Sequence, residues 1–163
     1  MSSIGTETVP VSHAVAGWDG DAFRERVPAP HFDPRLAGAV LHSSADVVSN
    51  APELARLTLN IAAVHHDSRI SGQRLVYGGH TIGLALAQAC RLLPNIATVL
   101  GWESYDHTGP VHEGDTLQSE LRVEAAEALP DGGGILWLRS LVNAVTADGD
   151  RPVLDWRFSA LHF

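Results

Sequence analysis

The sequence predicts an α+β fold in which one antiparallel sheet curls round a single long helix. Three observations carry that expectation. Residues 78 to 93 contain Ile82, Leu84, Ala85, Leu86, Ala89, Cys90, Leu92 and Leu93 with almost no polar face, and a helix apolar all round must be covered by other structure. Downstream segments mix β-branched, aromatic and alternating residues, as strands do. The stretches between them are short and rich in Gly, Asp and Pro, which favours antiparallel neighbours. At 163 residues the chain fits one domain without an internal repeat or linker.

Residues 1 to 36 carry Pro10, Pro28, Pro30 and Pro34 and show no sustained periodicity. They read as an arm over the core, with Trp18 and Phe23 as anchors, or as a partly disordered leader. The domain proper is expected over 37 to 163. Ala39 to Leu41 forms a short apolar strand. Ser43-Ser44-Ala45-Asp46 has the spacing of a helix start. Asn50-Ala51-Pro52-Glu53 has a second: a capping residue, an early proline, and an acid near the positive helix end. Leu54, Leu57 and Ile61 then recur at helical spacing, so an amphipathic helix is expected over residues 51 to 61. Gly78 and Gly79 open the long helix and Pro94 closes it. Strands follow over Ala97 to Trp102, Thr116 to Glu124, Ile135 to Thr146 and Val153 to His162, with turns at Glu113-Gly114-Asp115, residues 130 to 134 and Asp148-Gly149-Asp150.

Composition restricts the function classes. A formal charge of −8 removes any general reason to expect nucleic acid, whose binding needs clustered Lys and Arg. Hydrophobic residues make up 45% and charged residues 18%, ample for a core and lean for a solvated surface, which points to self-association. Cys90 is the sole cysteine, so no intrachain disulfide forms; among apolar neighbours it reads as a buried, inert thiol. No run of 18 apolar residues and no basic leader occur, so a soluble, cytoplasmic protein is expected.

Chemistry concentrates in Asn60-Ile61-Ala62-Ala63-Val64-His65-His66-Asp67 and in Tyr77-Gly78-Gly79-His80. Adjacent histidines point in different directions and make poor partners on one metal. A metal site would need one of them with Asp67, His80 and His107 or His112, and no short zinc spacing is present. General acid/base work suits the pattern better: a histidine beyond a helix end, near the carboxylate of Asp67, can take and return a proton. Asn60 can orient water or a carbonyl but cannot accept a proton. The amide of Gly78 lies at a positive helix end, where it would stabilise an oxygen gaining charge. Arg69 and Arg74 form a local basic spot for an anionic partner, or are two solvated loop arginines.

From about Leu36 to the C-terminus the chain resembles the MaoC-like dehydratases, the (R)-specific enoyl-CoA hydratase group of hotdog-fold proteins. The stretch from Asn60 to Asp67 is similar to their hydratase loop, Asp-x-Asn-Pro-x-His-x-Asp. Arg74-Leu75-Val76-Tyr77-Gly78-Gly79 is similar to Arg-Ile-x-His-Gly at the start of their central helix, and Gly109-Pro110-Val111-His112-Glu113-Gly114-Asp115-Thr116-Leu117 to Pro-Val-x-x-Gly-Asp-Thr-Leu. The resemblance implies reversible addition of water to a 2-enoyl-CoA thioester with no metal or redox cofactor, coenzyme A being part of the substrate. It makes His65 the acid/base residue and Gly78 the partner of the thioester carbonyl, with Tyr77 beside it, and it implies a homodimer with the CoA chain near the interface. Asn60 stands where the family has its catalytic aspartate, leaving Asp67 or Asp106 as acids to assist His65. The Asn60, Val64-His65-His66-Asp67 and Tyr77-Gly78-Gly79-His80 pattern is similar to mesaconyl-CoA and itaconyl-CoA hydratases. That branch implies short branched or dicarboxylic substrates, with Arg69 or Arg74 meeting a second carboxylate or a CoA phosphate. Two alternatives share the ligand class: an acyl-CoA thioesterase, although residues 78 to 93 hold no carboxylate to activate water, and a non-catalytic acyl-CoA-binding protein, motivated by Asn60.

Overall fold

The structure is a computed structural model that describes residues 15, 17–130 and 132–163. Its elements run α1 (Gly20–Arg26), β1 (Val40–His42), β2 (Asp46–Val47), α2 (Ala51–Leu57), α3 (Gly78–Leu92), β3 (Ile96–Asp106), β4 (Thr116–Ala128), β5 (Gly134–Val145) and β6 (Arg151–His162). Short 3-10 turns occupy Pro34–Leu36 and Ala63–His65. Strand order is β1-β4-β5-β6-β3, every pair antiparallel, with β2 also pairing β4.

The register puts apolar side chains of successive strands on one face. Val123 lies opposite Leu138, which lies opposite Phe158; Ser140 lies opposite Trp156. Trp156 and Phe158 are fully buried and stack at 3.9 Å. Helix α3 packs onto β4, β5 and β6 through Thr81, Ile82, Ala85, Gln88 and Ala89, whose spacing of three and four residues defines one helical face. Gln88, which with Thr81 makes the polar part of that face, is fully satisfied. It donates to Asp46 Oδ2 at 2.8 Å and to the Leu117 carbonyl at 3.0 Å, and accepts from the Ser119 hydroxyl. It therefore pins the helix to β2 and β4 at no desolvation cost.

Several expectations change. The sheet does not wrap α3 on all sides: Gly83 and Ala87 face solvent, and Leu84, Leu86 and Cys90 are half-buried. A sheet curling round one helix reaches only the side facing it, so the far stripe needs other cover. Cys90 is accordingly not fully buried, although desolvation still pushes its thiol up. The helix start expected at Ser43 is absent. Ser43 instead extends the pairing of β1, its hydroxyl accepting from the Ser119 amide at 2.9 Å, and Asp46 belongs to β2.

The helix expected over 51 to 61 ends at Leu57. A Schellman closure stops it: Leu59 takes a left-handed conformation at φ 57°, and its amide bonds the Arg56 carbonyl. The Asn60 amide bonds the Ala55 carbonyl at 2.8 Å, completing the motif. The chain thus turns before Asn60. Leu57 and Ile61 of the expected stripe are left 80% and 82% exposed, and Leu59 beside them is 81% exposed. At the other end, Asn50 adopts a left-handed conformation at φ 55° and makes no side-chain cap.

Of the N-terminal arm, residues 1–14 and 16 lie outside the described residues. The rest includes α1, capped by Asp19, whose carboxylate accepts from the Ala22 amide at 2.9 Å. Phe23 packs on Phe163 at 5.2 Å between ring centroids, whereas Trp18 is 48% exposed and anchors little. The Asn95 side-chain amide holds the arm by donating to the Pro28 and Pro30 carbonyls. Among the described residues no helix is long and apolar enough to cross a membrane.

Candidate active site

A cleft of about 440 Å³ opens where the loop carrying His65, the first turn of α3 and the end of β3 meet. His65, Leu75, Gly78, Thr81, His107 and Val111 are among its walls, and no carboxylate lines it.

The local chain fixes His65 firmly. The Leu75 amide bonds the Val64 carbonyl at 3.1 Å, and His65 Nδ1 lies 2.7 Å from the Leu75 carbonyl. A carbonyl only accepts, so Nδ1 carries the proton and Nε2 is the basic nitrogen. The segment holding Leu75 is itself tied to the connection between β3 and β4, since the Val76 amide bonds the Val111 carbonyl and the Glu113 amide bonds the Arg74 carbonyl. Tyr77 stands edge-on to His65 with ring centroids 6.4 Å apart.

Helix α3 begins at Gly78 with no side-chain cap, and the first backward amide bond is from His80 to the Tyr77 carbonyl. The leading amides therefore remain available, at the positive end of a 15-residue helix. The absence of a side chain at Gly78 has a specific use. A Cβ built there would lie 2.8 Å from His107 Cε1 and closer still to Nε2, so the His107 imidazole occupies the space a side chain would fill.

The remaining candidates are placed elsewhere. The Arg69 guanidinium grips Asp67 through both carboxylate oxygens, and the Arg69 amide also donates to Oδ1 at 2.9 Å. That pairing holds the Asp67 carboxyl below the usual carboxylate range. Asp67 and Arg69 thus brace the loop and do not line the cleft. Arg74 pairs with Glu113 and donates from Nε to the His66 carbonyl at 3.1 Å, likewise outside the cleft walls. Asn60 is half-buried; its carbonyl accepts from His66 Nε2 at 3.0 Å, and it too is absent from the walls. Asp106 is exposed at the end of β3. His80 is buried, which pushes its imidazole down. His65, Asp67, His80, His107 and His112 do not converge as a metal-ligating set among the described residues.

Sequence reasoning weighed His107 only as a metal ligand and passed over Thr81, a buried hydroxyl on the cleft side of α3. The expected strand ends at Trp102, so nothing in the sequence marked His107; only in the structure does β3 run on to Asp106 and bring His107 to the cleft.

No family model matches the chain. It is 38% identical to a mesaconyl-CoA hydratase of Cereibacter sphaeroides over 87 residues, 52% of this chain and 25% of that protein. It is 35% identical to a β-methylmalyl-CoA dehydratase of Chloroflexus aurantiacus over 108 residues, 63% of this chain and 30% of the relative. A solved protein from Mycobacterium tuberculosis, essential for bacterial survival during infection and built as a double hotdog, matches with a TM-score of 0.89 and 69% identity. That match covers 98% of this chain and 49% of the other. A solved putative MaoC domain dehydratase from Chloroflexus aurantiacus shares the fold at 26% identity with a TM-score of 0.69, and further MaoC-like dehydratases and (R)-hydratases share it at 23% identity or less. The chain has the hotdog fold.

In hotdog terms α3 is the central helix and the cleft lies at its N-terminus, beside the loop from Asn60 to Asp67. The hotdog unit spans at most 30% of the curated relatives and about half of the double-hotdog protein.

Proposed function

We propose that this hotdog domain adds water reversibly to the double bond of a 2-enoyl-CoA thioester. The observation that carries the reading is the pairing, across one cleft, of His65 Nε2, left basic by the Nδ1 bond to Leu75, with the uncapped amide of Gly78. Nε2 takes a proton from water, whose oxygen bonds the β-carbon. The double-bond electrons move onto the thioester, where the Gly78 amide meets the enolate oxygen. The imidazolium then gives its proton to the α-carbon, which closes the balance without metal or redox cofactor. No carboxylate lines the cleft, so His65 serves as both base and acid, and Asn60 and Asp67 shape the loop that carries it.

The curated relatives are named for mesaconyl-CoA and β-methylmalyl-CoA. They favour short, branched or dicarboxylic acyl groups here; Tyr77 is not among the cleft walls and stands against the His65 ring instead. We assign Arg69 and Arg74 to the outer path of the CoA phosphates, since both lie outside the cleft walls. The working unit is a pair of hotdogs, made by a second copy or a second hotdog. Exposed Leu57, Leu59 and Ile61 and the edge strand β3, with half-exposed Trp102 and Tyr105, offer surface for it. Cytoplasm, where CoA thioesters are made, is its compartment.

The test is loss of the conjugated-enoyl absorbance with crotonyl-, mesaconyl-, itaconyl- and longer enoyl-CoA esters. His65→Asn keeps a donor for the Leu75 carbonyl while removing the base, and should lower turnover by about 10²–10⁴-fold. Activity retained in that variant removes His65 from the mechanism. Release of free thiol with the enoyl group intact would make the protein a thioesterase.

A further inference from the structure

We propose that His107 is a catalytic residue that donates from Nε2 to the substrate thioester oxygen, so that the oxygen is held by two donors, His107 and the Gly78 amide. The inference rests on the hydratase reading above and deepens it.

Position comes first. His107 immediately follows β3, and the next residue is anchored by its amide bond to the Val153 carbonyl at 3.1 Å. The ring stands edge-on to Tyr105, with centroids 6.1 Å apart, and lies against the bare Cα of Gly78. Its nitrogens make no hydrogen bond to the described residues, unlike those of His65 and His66. An imidazole held over the first residue of a helix, with its donors uncommitted and a cleft in front, is placed to meet a ligand oxygen drawn to that helix end.

Chemistry comes second. Addition of water to the β-carbon sends an electron pair to the thioester oxygen, and one backbone amide is a modest partner for it. A second donor aimed at the same oxygen strengthens as charge develops, which is where catalysis gains. With its proton on Nε2, His107 supplies that donor without accepting a proton from substrate. The cleft walls contain no arginine, lysine or carboxylate that could substitute. Glycine at position 78 is then required twice, for the approach of the ring and for the approach of the oxygen.

Two variants and two substrates test the assignment. His107→Ala should lower kcat/KM by about 10²–10³-fold, as loss of one oxyanion donor does. His107→Gln, whose amide nitrogen reaches near the place of Nε2, should recover most of that loss. Both effects should be equal for crotonyl-CoA and mesaconyl-CoA, because the thioester is common to them. In the His65→Asn background, bound 2,4-hexadienoyl-CoA should show a red-shifted absorbance from carbonyl polarisation, and adding His107→Ala should diminish the shift to what the Gly78 amide alone gives. Undiminished turnover or an unchanged shift overturns the assignment while leaving the hydratase reading intact. A loss confined to mesaconyl-CoA also overturns it, placing His107 on the second carboxylate. A wild-type protein that hydrates no enoyl-CoA removes the hydratase reading and the His107 role together.

Discussion

Gly78→Ala should separate stability from activity. The glycine lies in the first turn of α3 outside the left-handed region, so alanine meets no backbone penalty. The unfolded chain loses freedom with the added methyl, worth about 0.4–1 kcal/mol in favour of folding. Against this stands the collision with His107, since a Cβ would fall 2.8 Å from Cε1 and 3.1 Å from Cδ2. These are atoms of an exposed ring on a rotatable side chain, which can swing aside. A domain of this size shifts by about 2–4 °C per kcal/mol, so the melting temperature should stay level or rise by up to about 4 °C. Activity should move the other way. The methyl fills the space in front of the helix amide and evicts the imidazole, so the thioester oxygen loses its seat. A fall of about 10²–10³-fold in kcat is expected, equivalent to about 2.7–4 kcal/mol of transition-state stabilisation. A thermal melt and an enoyl-CoA hydration assay on one preparation check both halves. Turnover close to wild type in a protein of unchanged melting temperature would refute the reasoning. A collapse in melting temperature would show that the methyl meets structure that cannot move.

Other outcomes follow from the interior. Gln88→Leu keeps the volume but leaves the Leu117 carbonyl and the Ser119 hydroxyl without their partner. Each orphaned buried group costs about 1–3 kcal/mol, so at about 2–4 °C per kcal/mol differential scanning calorimetry should show a drop of about 4–24 °C for the two; a drop below about 2 °C would mean that water or a neighbour satisfies them. His162 is fully buried at the end of β6, and desolvation, aided by the charge of His31, lowers its pKa to about 4. Because the folded value lies below the unfolded one, stability is complete above the unfolded pKa of about 6.5 and declines as pH falls toward 4, by up to about 3 kcal/mol. Urea titrations across that range should show the decline in wild type and a flatter profile in His162→Gln; parallel profiles would assign the acid sensitivity elsewhere.

Much of this was legible in the sequence because it depends on local pattern. The long apolar helix, the four strands after it and their antiparallel pairing follow from periodicity and turn residues; β3, β4 and β6 run longer than expected, and β5 is shifted by one residue. The loop from Asn60 to Asp67 and the start of α3 were recognisable because motif spacing survives in one dimension. Ser43 was misread because the serine that would cap a helix instead accepts from a strand 76 residues away. The helix ending at Leu57 was misread because a leucine in the left-handed conformation closes it, and composition does not announce that.

Residue types and spacing thus determined the α+β architecture and pointed to His65 and Gly78, which the fold brings to one cleft. Which groups face one another was decided only in three dimensions, because ion pairs and ring contacts depend on side-chain direction and not on sequence distance. Asp67, two residues from His65, turns to Arg69; Arg74, four residues from Gly78, turns to Glu113. His107 stands 29 residues beyond Gly78 in sequence, yet the antiparallel sheet carries the end of β3 back to the helix start and lays the imidazole on the glycine.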